Sequence, residues 1–100
     1  MKYDENMDAE CIPLCDALNL LPGIKTFESC CGHGEKPFAI HFIAETLEAL
    51  HPICVGIHER PWVVEIAWAS GSDNLYCTLR GTVGAYVEAN SLAFALDQRI

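Results

Sequence analysis

The sequence predicts an α+β domain of two layers, in which a four-stranded, mainly antiparallel sheet built from two β-hairpins carries helices on one face. Two observations predict it. Apolar residues alternate with polar ones in two pairs of neighbouring segments, and a short glycine-containing connection joins each pair. Around these pairs, apolar residues recur at helical spacing. The predicted order of elements is α-β-β-α-β-β-α.

The first helix is predicted from about Glu10 to Leu21, after an acidic segment, residues 1–8, that we expect to fray. Pro13 fits only the first turn of a helix, and Pro22-Gly23 ends it. Its apolar residues keep the i, i+3, i+4, i+7 spacing of an amphipathic helix, and this stripe contains Cys11, Leu14, Cys15, Leu18 and Leu21.

The first hairpin is predicted on either side of a connection at residues 31–36. In that register Phe27 lies opposite Ile40, and Thr26 lies opposite His41. Directly opposed residues of an antiparallel pair share a face. The register therefore predicts a core face with Phe27, Phe38, Ile40 and Phe42, and an opposite face with Thr26, Glu28 and His41.

The second helix is predicted to be broken, because Pro52 disrupts a helix interior but suits the first position of a new helix. We expect a helical turn at residues 45–50 and a second part near residues 52–58. The inward stripe would contain Leu47, Leu50, Cys54 and Ile57, which makes Cys54 a core residue.

The second hairpin is predicted from a strand at residues 61–69, a turn at residues 70–73 and a returning strand. A four-residue turn places Glu65 opposite Thr78 and Val63 opposite Arg80. Val64, Ile66 and Trp68 then share the core face with Leu75, Cys77 and Leu79. Thr82 is predicted to cap a final helix at residues 83–99. The face without helices would carry Thr26, Glu28, His41, Glu65, Tyr76, Thr78 and Arg80.

Composition narrows the class of protein. The 100 residues fit one domain, assigned to residues 9–100, and a hydrophobic content of 51% argues against disorder. The N-terminus lacks the pattern of a signal peptide and no apolar run is long enough to span a membrane, so we expect a cytoplasmic protein without membrane contact. In that compartment the six cysteines serve as free thiols, core residues or metal ligands. A formal charge of −8 disfavours nucleic acid as a partner.

The connection of the first hairpin concentrates reactive side chains, and it makes residues 29–37 the candidate site. Cys30, Cys31 and His33 offer sulfur and imidazole ligands that suit zinc, with a fourth ligand such as Cys77 from elsewhere. Alternatively, backbone amides at the glycines bind an anion or small molecule. The residues of that second site would be Ser29, Cys30, Gly32, His33 and Gly34.

Two further interpretations of the chain stay open. A cysteine of the loop with His33 as its base would make a thiol enzyme. Alternatively, the chain is a non-catalytic interaction module that forms a homo-oligomer through its open sheet face or sheet edge, a function that requires no reactive side chain.

The run from Phe27 to Gly34, with its Ser-Cys-Cys-Gly-His-Gly loop, resembles the signature of small bacterial and phage-associated proteins of unknown function. The loop is also similar to the Ser-Ser-Cys-Ser-Gly-Arg loop of the Tyw3 family of tRNA wybutosine-synthesising methyltransferases. Ser29, Cys30 and Gly32 match that loop, whereas His33 stands at the position of its arginine. The resemblance implies a strand-loop-strand with a functional loop, and a methyltransferase that uses S-adenosylmethionine.

Overall fold

The computed structural model describes residues 9–30, 36–67, 73–83 and 86–97. Within them the predicted order of elements is present, and the α+β class is confirmed. Short 3₁₀ turns at Ala9–Cys11 and Glu48–Leu50 precede the first two helices. In chain order, the elements are α1 (Ile12–Leu20), β1 (Ile24–Cys30), β2 (Pro37–Ala44), α2 (His51–Gly56), β3 (Val63–Ala67), β4 (Leu75–Val83) and α3 (Tyr86–Asp97).

The four strands form one antiparallel sheet in the order β1-β2-β4-β3, so the two hairpins join through β2 and β4. The second hairpin has the predicted register, with Glu65 opposite Thr78 and Val63 opposite Arg80. Strands β1 and β3 are the two edges of the sheet. The edge position explains why Ile66 is 49% exposed, although it lies opposite the buried Cys77.

The hydrophobic core lies between the helices and one face of the sheet. Phe38, Ile40 and Phe42 of β2 are fully buried there, as predicted. The ring of Phe38 meets Trp62 edge to face, with 5.4 Å between ring centroids, a geometry that aromatic pairs favour. The helices contribute the fully buried side chains of Leu14, Leu18, Ile53, Leu92 and Leu96.

The predicted register of the first hairpin is wrong, because Ser29 and not Phe27 lies opposite Ile40. The predicted faces of Phe27 and Thr26 are wrong as well, because β1 contains a bulge. Thr26 lies opposite Phe42 and Glu28 lies opposite His41, so the register skips Phe27. An extra residue in one strand reverses the alternation on that side of the bulge. Thr26 therefore faces the helices and is 5% exposed, while Phe27 is 54% exposed.

Asn19, near the end of α1, holds the bulged strand in place. Its Oδ1 accepts a hydrogen bond from the backbone N–H of Thr26, and its Nδ2 donates to Thr26 Oγ1, both at 2.9 Å. The pair satisfies a backbone donor and a hydroxyl in a site that solvent barely reaches. Helix α1 and the edge strand are thereby joined by polar as well as apolar contacts.

The second helical segment is a 3₁₀ turn followed directly by α2, with Pro52 in the first turn of α2, and its predicted inward stripe is wrong at two positions. Leu47 is 67% exposed and Cys54 is exposed, whereas Ile53 and Gly56 are buried. Leu50 is buried and Ile57 packs against the core, as the stripe predicted, and Ile53 takes the inward position between them that the stripe assigned to Cys54.

The last strand runs further than predicted, and the last helix begins later. Strand β4 continues to Val83, so Thr82 lies in a strand and does not cap α3. Trp68 and most of the predicted turn at residues 70–73 lie outside the described residues. Among the helices that the structure describes, none is long and apolar enough to cross a membrane.

Candidate functional site

The candidate loop connects the ends of β1 and β2. Cys30, the last residue of β1, lies opposite Ala39, and β2 begins at Pro37. Residues 31–35 lie outside the described residues, and with them Cys31, Gly32, His33 and Gly34. The zinc set and the anion site predicted for this loop therefore stay predictions.

Ser29 is the candidate residue whose surroundings are described. It lies on the helix-facing side of β1, opposite Ile40, and is half-buried. Its hydroxyl hydrogen-bonds with the thiol of Cys15 on α1, as does Thr26. Burial raises the pKa of that thiol to about 11, and the two hydrogen bonds offset part of the increase. The structure thus places Ser29 in a contact between the sheet and α1.

Cys77, predicted as a possible fourth metal ligand, lies in β4 at a distance from the paired end of β1. It faces the helices opposite Phe42, three residues along β2 from Ala39, which is about 10 Å at the rise of a strand. Its thiol donates to the carbonyl oxygen of Leu75 at 3.8 Å, and burial raises its pKa. In the described ranges, which lack residues 31–35, no three His, Cys, Asp or Glu side chains are grouped to hold a metal ion.

The face of the sheet opposite the helices is uncovered in the described part of the chain. We call it the open face and define it by the residues that the registers place there, together with Phe27 of the bulge. Its residues are Lys25, Phe27, Glu28, Ala39, His41, Ile43, Val63, Glu65, Ala67, Tyr76, Thr78 and Arg80.

Three rings form a cluster on the open face. The ring of Phe27 lies 6.2 Å from that of His41 and meets Tyr76 edge to face at 6.5 Å between centroids. Nδ1 of His41 is 2.8 Å from Thr78 Oγ1, which fixes the orientation of the imidazole. We call Phe27, His41 and Tyr76 the aromatic cluster.

The sequence placed His41 and Tyr76 on this face but missed Phe27, because nothing local shows the bulge. Alternation favours burying phenylalanine over threonine, and Thr26 is satisfied by Asn19, which lies seven residues away in another element. The cluster therefore depends on a tertiary contact that no short pattern contains.

No protein-family model, curated protein or solved structure matches this chain.

Proposed function

We propose that this domain associates with a second copy of itself through the open face. The aromatic cluster carries the proposal: Phe27 is 54% and Tyr76 is 43% exposed, on a sheet face that no described element covers. Val63, which is 55% exposed, extends the apolar surface to β3. Aromatic side chains are enriched at the centres of protein interfaces, and the residues that dominate binding energy are enriched in Trp, Tyr and Arg.

Charge favours a second copy as the partner. The open face carries two cations, Lys25 and Arg80, and two carboxylates, Glu28 and Glu65, so its formal charge is zero. Arg80 donates from Nε to Glu65 within the face. The whole chain has a formal charge of −8, so the excess of acidic residues lies elsewhere. Two copies repel each other at acidic surfaces, and the open face avoids that repulsion.

Nucleic acid fits the open face less well. Aromatic rings on an open antiparallel sheet can stack on bases, but such sites also need Lys or Arg side chains for the phosphates. Of the two cations on this face, Arg80 is already paired with Glu65. The chemistry of the face therefore suits a protein surface better.

The area of the open face indicates a weak dimer. Strands of five to nine residues, at about 3.3 Å per residue and about 4.8 Å between strands, cover roughly 450 Å². The uneven surface formed by the side chains raises this area to roughly 600 Å² per copy. The two copies together would bury roughly 1,200 Å², which is at the lower limit for specific interfaces. We therefore expect a micromolar dissociation constant.

Sedimentation equilibrium between about 1 μM and about 1 mM protein tests the proposal. The chain should pass from monomer to dimer in this range. Phe27→Asp should keep it monomeric, since it puts a charge at the centre of the interface. Phe94→Asp is the matched control, because Phe94 is 67% exposed but lies on α3 in the helix layer.

The two variants separate the proposal from its alternatives. Melting curves should show both variants folded, because both side chains are largely exposed. A chain that stays monomeric throughout the range, or a dimer that Phe94→Asp breaks and Phe27→Asp leaves intact, would refute association through the open face.

We infer a second function for residues 29–37, the binding of a metal ion or small anion. The strand register supports this binding function, because β1 and β2 are paired up to Cys30 and Ala39. The pairing fixes the residue at which the connection begins and the position of the chain two residues after β2 begins. One cysteine, a histidine and two glycines then lie in this connection, next to Cys30 at the end of β1. Metal analysis of the purified protein tests this function independently of dimer formation.

A further inference from the structure

A groove lies beside the end of α2, in the helix layer and away from the open face. Its volume is about 570 Å³, within the range of small-molecule sites. It combines a thiol, an imidazole and a guanidinium group. We call it the thiol groove, and its lining residues are Cys54, Val55, Gly56, His58, Arg60 and Ala95.

Cys54 is the accessible thiol of the groove. Cys11, Cys15 and Cys77 are buried, while Cys54 is exposed. Reactivity of a thiol requires access as well as ionisation, so modification should favour Cys54 over the three buried residues. The nearby Cys77 is 3% exposed and burial raises its pKa, so it is poorly suited to displace a group attached to Cys54.

Arg60 gives the groove a positively charged side. Its Nη1 donates to Glu88 and, at 2.9 Å, to Ser91, and both acceptors lie on α3. Because both bonds use Nη1, neither occupies the N–H groups of Nε and Nη2, which can meet a carboxylate. The carboxylate of Glu88 offsets part of the charge, so we expect Arg60 to orient a ligand more than to retain it.

The backbone brings His58 and Arg60 to the same groove. Glu59 between them has φ of 61°, in the left-handed region that residues other than glycine seldom adopt. His58 continues the turn after α2, with its N–H donating to the carbonyl oxygen of Val55. A second donor therefore lines the groove beside the thiol.

We propose that the thiol groove is a modification site at which Cys54 exchanges with a small anionic disulfide of the tripeptide class. The sulfur of Cys54, as thiolate, attacks one sulfur of the ligand, and the ligand's S–S bond breaks. One half stays on Cys54 as a mixed disulfide, and the other leaves as a thiolate. Cys54 is oxidised, the leaving half is reduced, and the proton lost by Cys54 passes to solvent or to the leaving thiolate.

Oxidised glutathione is the probe for the test, with the uncharged bis(2-hydroxyethyl) disulfide as its comparison. Intact-mass and peptide analysis of the native protein should show glutathione on the peptide that contains Cys54 and none on those of Cys11, Cys15 and Cys77. Arg60→Gln should slow the reaction of Cys54 with glutathione disulfide by roughly threefold, the scale of one partly exposed charge pair. The rate with the uncharged disulfide should not change.

Arg60→Lys is the matched control, because it keeps the positive charge at the same position. It should keep the rate with glutathione disulfide within about twofold of that of the native chain and leave the rate with the uncharged disulfide unchanged. If Arg60→Gln disturbs the fold, Glu88→Gln gives the comparison with the opposite sign, because it keeps an acceptor for Arg60 and removes the carboxylate that offsets its charge, so it should speed the reaction with the anionic disulfide only. An unmodified Cys54, or equal effects of charge removal on both disulfides, would overturn the proposal.

Discussion

Removal of Asn19 tests how β1 keeps its bulge. Asn19→Ala deletes both hydrogen bonds to Thr26 and leaves the Thr26 N–H without its partner in a site that is 5% exposed. A neutral hydrogen bond contributes about 0.5–1.5 kcal/mol, and an unsatisfied buried donor costs about 1–3 kcal/mol. We therefore expect the free energy of unfolding to fall by about 2–3 kcal/mol, which lowers the melting temperature by about 10 °C in a domain of this size.

Urea denaturation measures this loss, and two further variants assign it to the contact. Asn19→Asp keeps an acceptor for the Thr26 N–H, so it should lose less than half as much. Thr26→Val removes only the hydroxyl, and in a double-mutant cycle with Asn19→Ala it should show a coupling of about 1 kcal/mol. If Asn19→Ala costs less than about 0.5 kcal/mol, or no more than Asn19→Asp, then the contact does not hold the bulge.

Three further predictions concern other parts of the chain. The Cys15 thiol has a pKa of about 11 in the folded chain and 9.0 as its ordinary value, so the native chain should lose stability relative to Cys15→Ala as pH rises from about 9 to about 11, measured by urea denaturation. Cys30→Ser with His33→Ala should change the free energy of unfolding by less than about 1 kcal/mol but abolish metal uptake in elemental analysis. Gly56→Ala puts a Cβ 2.8 Å from Cδ2 of the buried Leu96, and overpacking should cost about 1–2 kcal/mol in a denaturant titration.

Each of these has a contrary outcome. Stability should fall with rising pH because the folded state binds the proton of the Cys15 thiol more tightly than the unfolded state does. Above pH 9 the unfolded state releases this proton and is thereby stabilised relative to the folded state. A stability difference from Cys15→Ala that is flat across this range would contradict the raised pKa. If the variant with Cys30→Ser and His33→Ala is unfolded, the loop has a structural role. A Gly56→Ala chain as stable as the native one would show that Leu96 can move aside.

The second hairpin was predictable in detail because its pattern has one solution. Val64 and Ile66 alternate with Glu65 and Ala67, and only a four-residue turn aligns them with Cys77 and Leu79. The first hairpin has a similar pattern, but β1 gains a residue at the bulge. Alternation cannot detect that residue, because the contact that satisfies the buried Thr26 comes from the side chain of Asn19 in α1.

Cys54 shows a second limit of periodicity. Between Leu50 and Ile57, both Ile53 and Cys54 fit the spacing of an inward stripe, since they follow Leu50 by three and four residues. The structure buries Ile53 and exposes Cys54. Hence the sequence indicated the helix correctly and placed its thiol on the wrong side.

The bulge in β1 also separates the folding of this domain from its proposed association. Without Phe27, Thr26 would be followed directly by Glu28, and their partners Phe42 and His41 are already consecutive in β2. The ladder would then be regular, and every remaining residue would keep its face. A single codon gained or lost at this position can therefore add or remove the centre of the aromatic cluster while the buried layer keeps its residues, so self-association could evolve independently of the core.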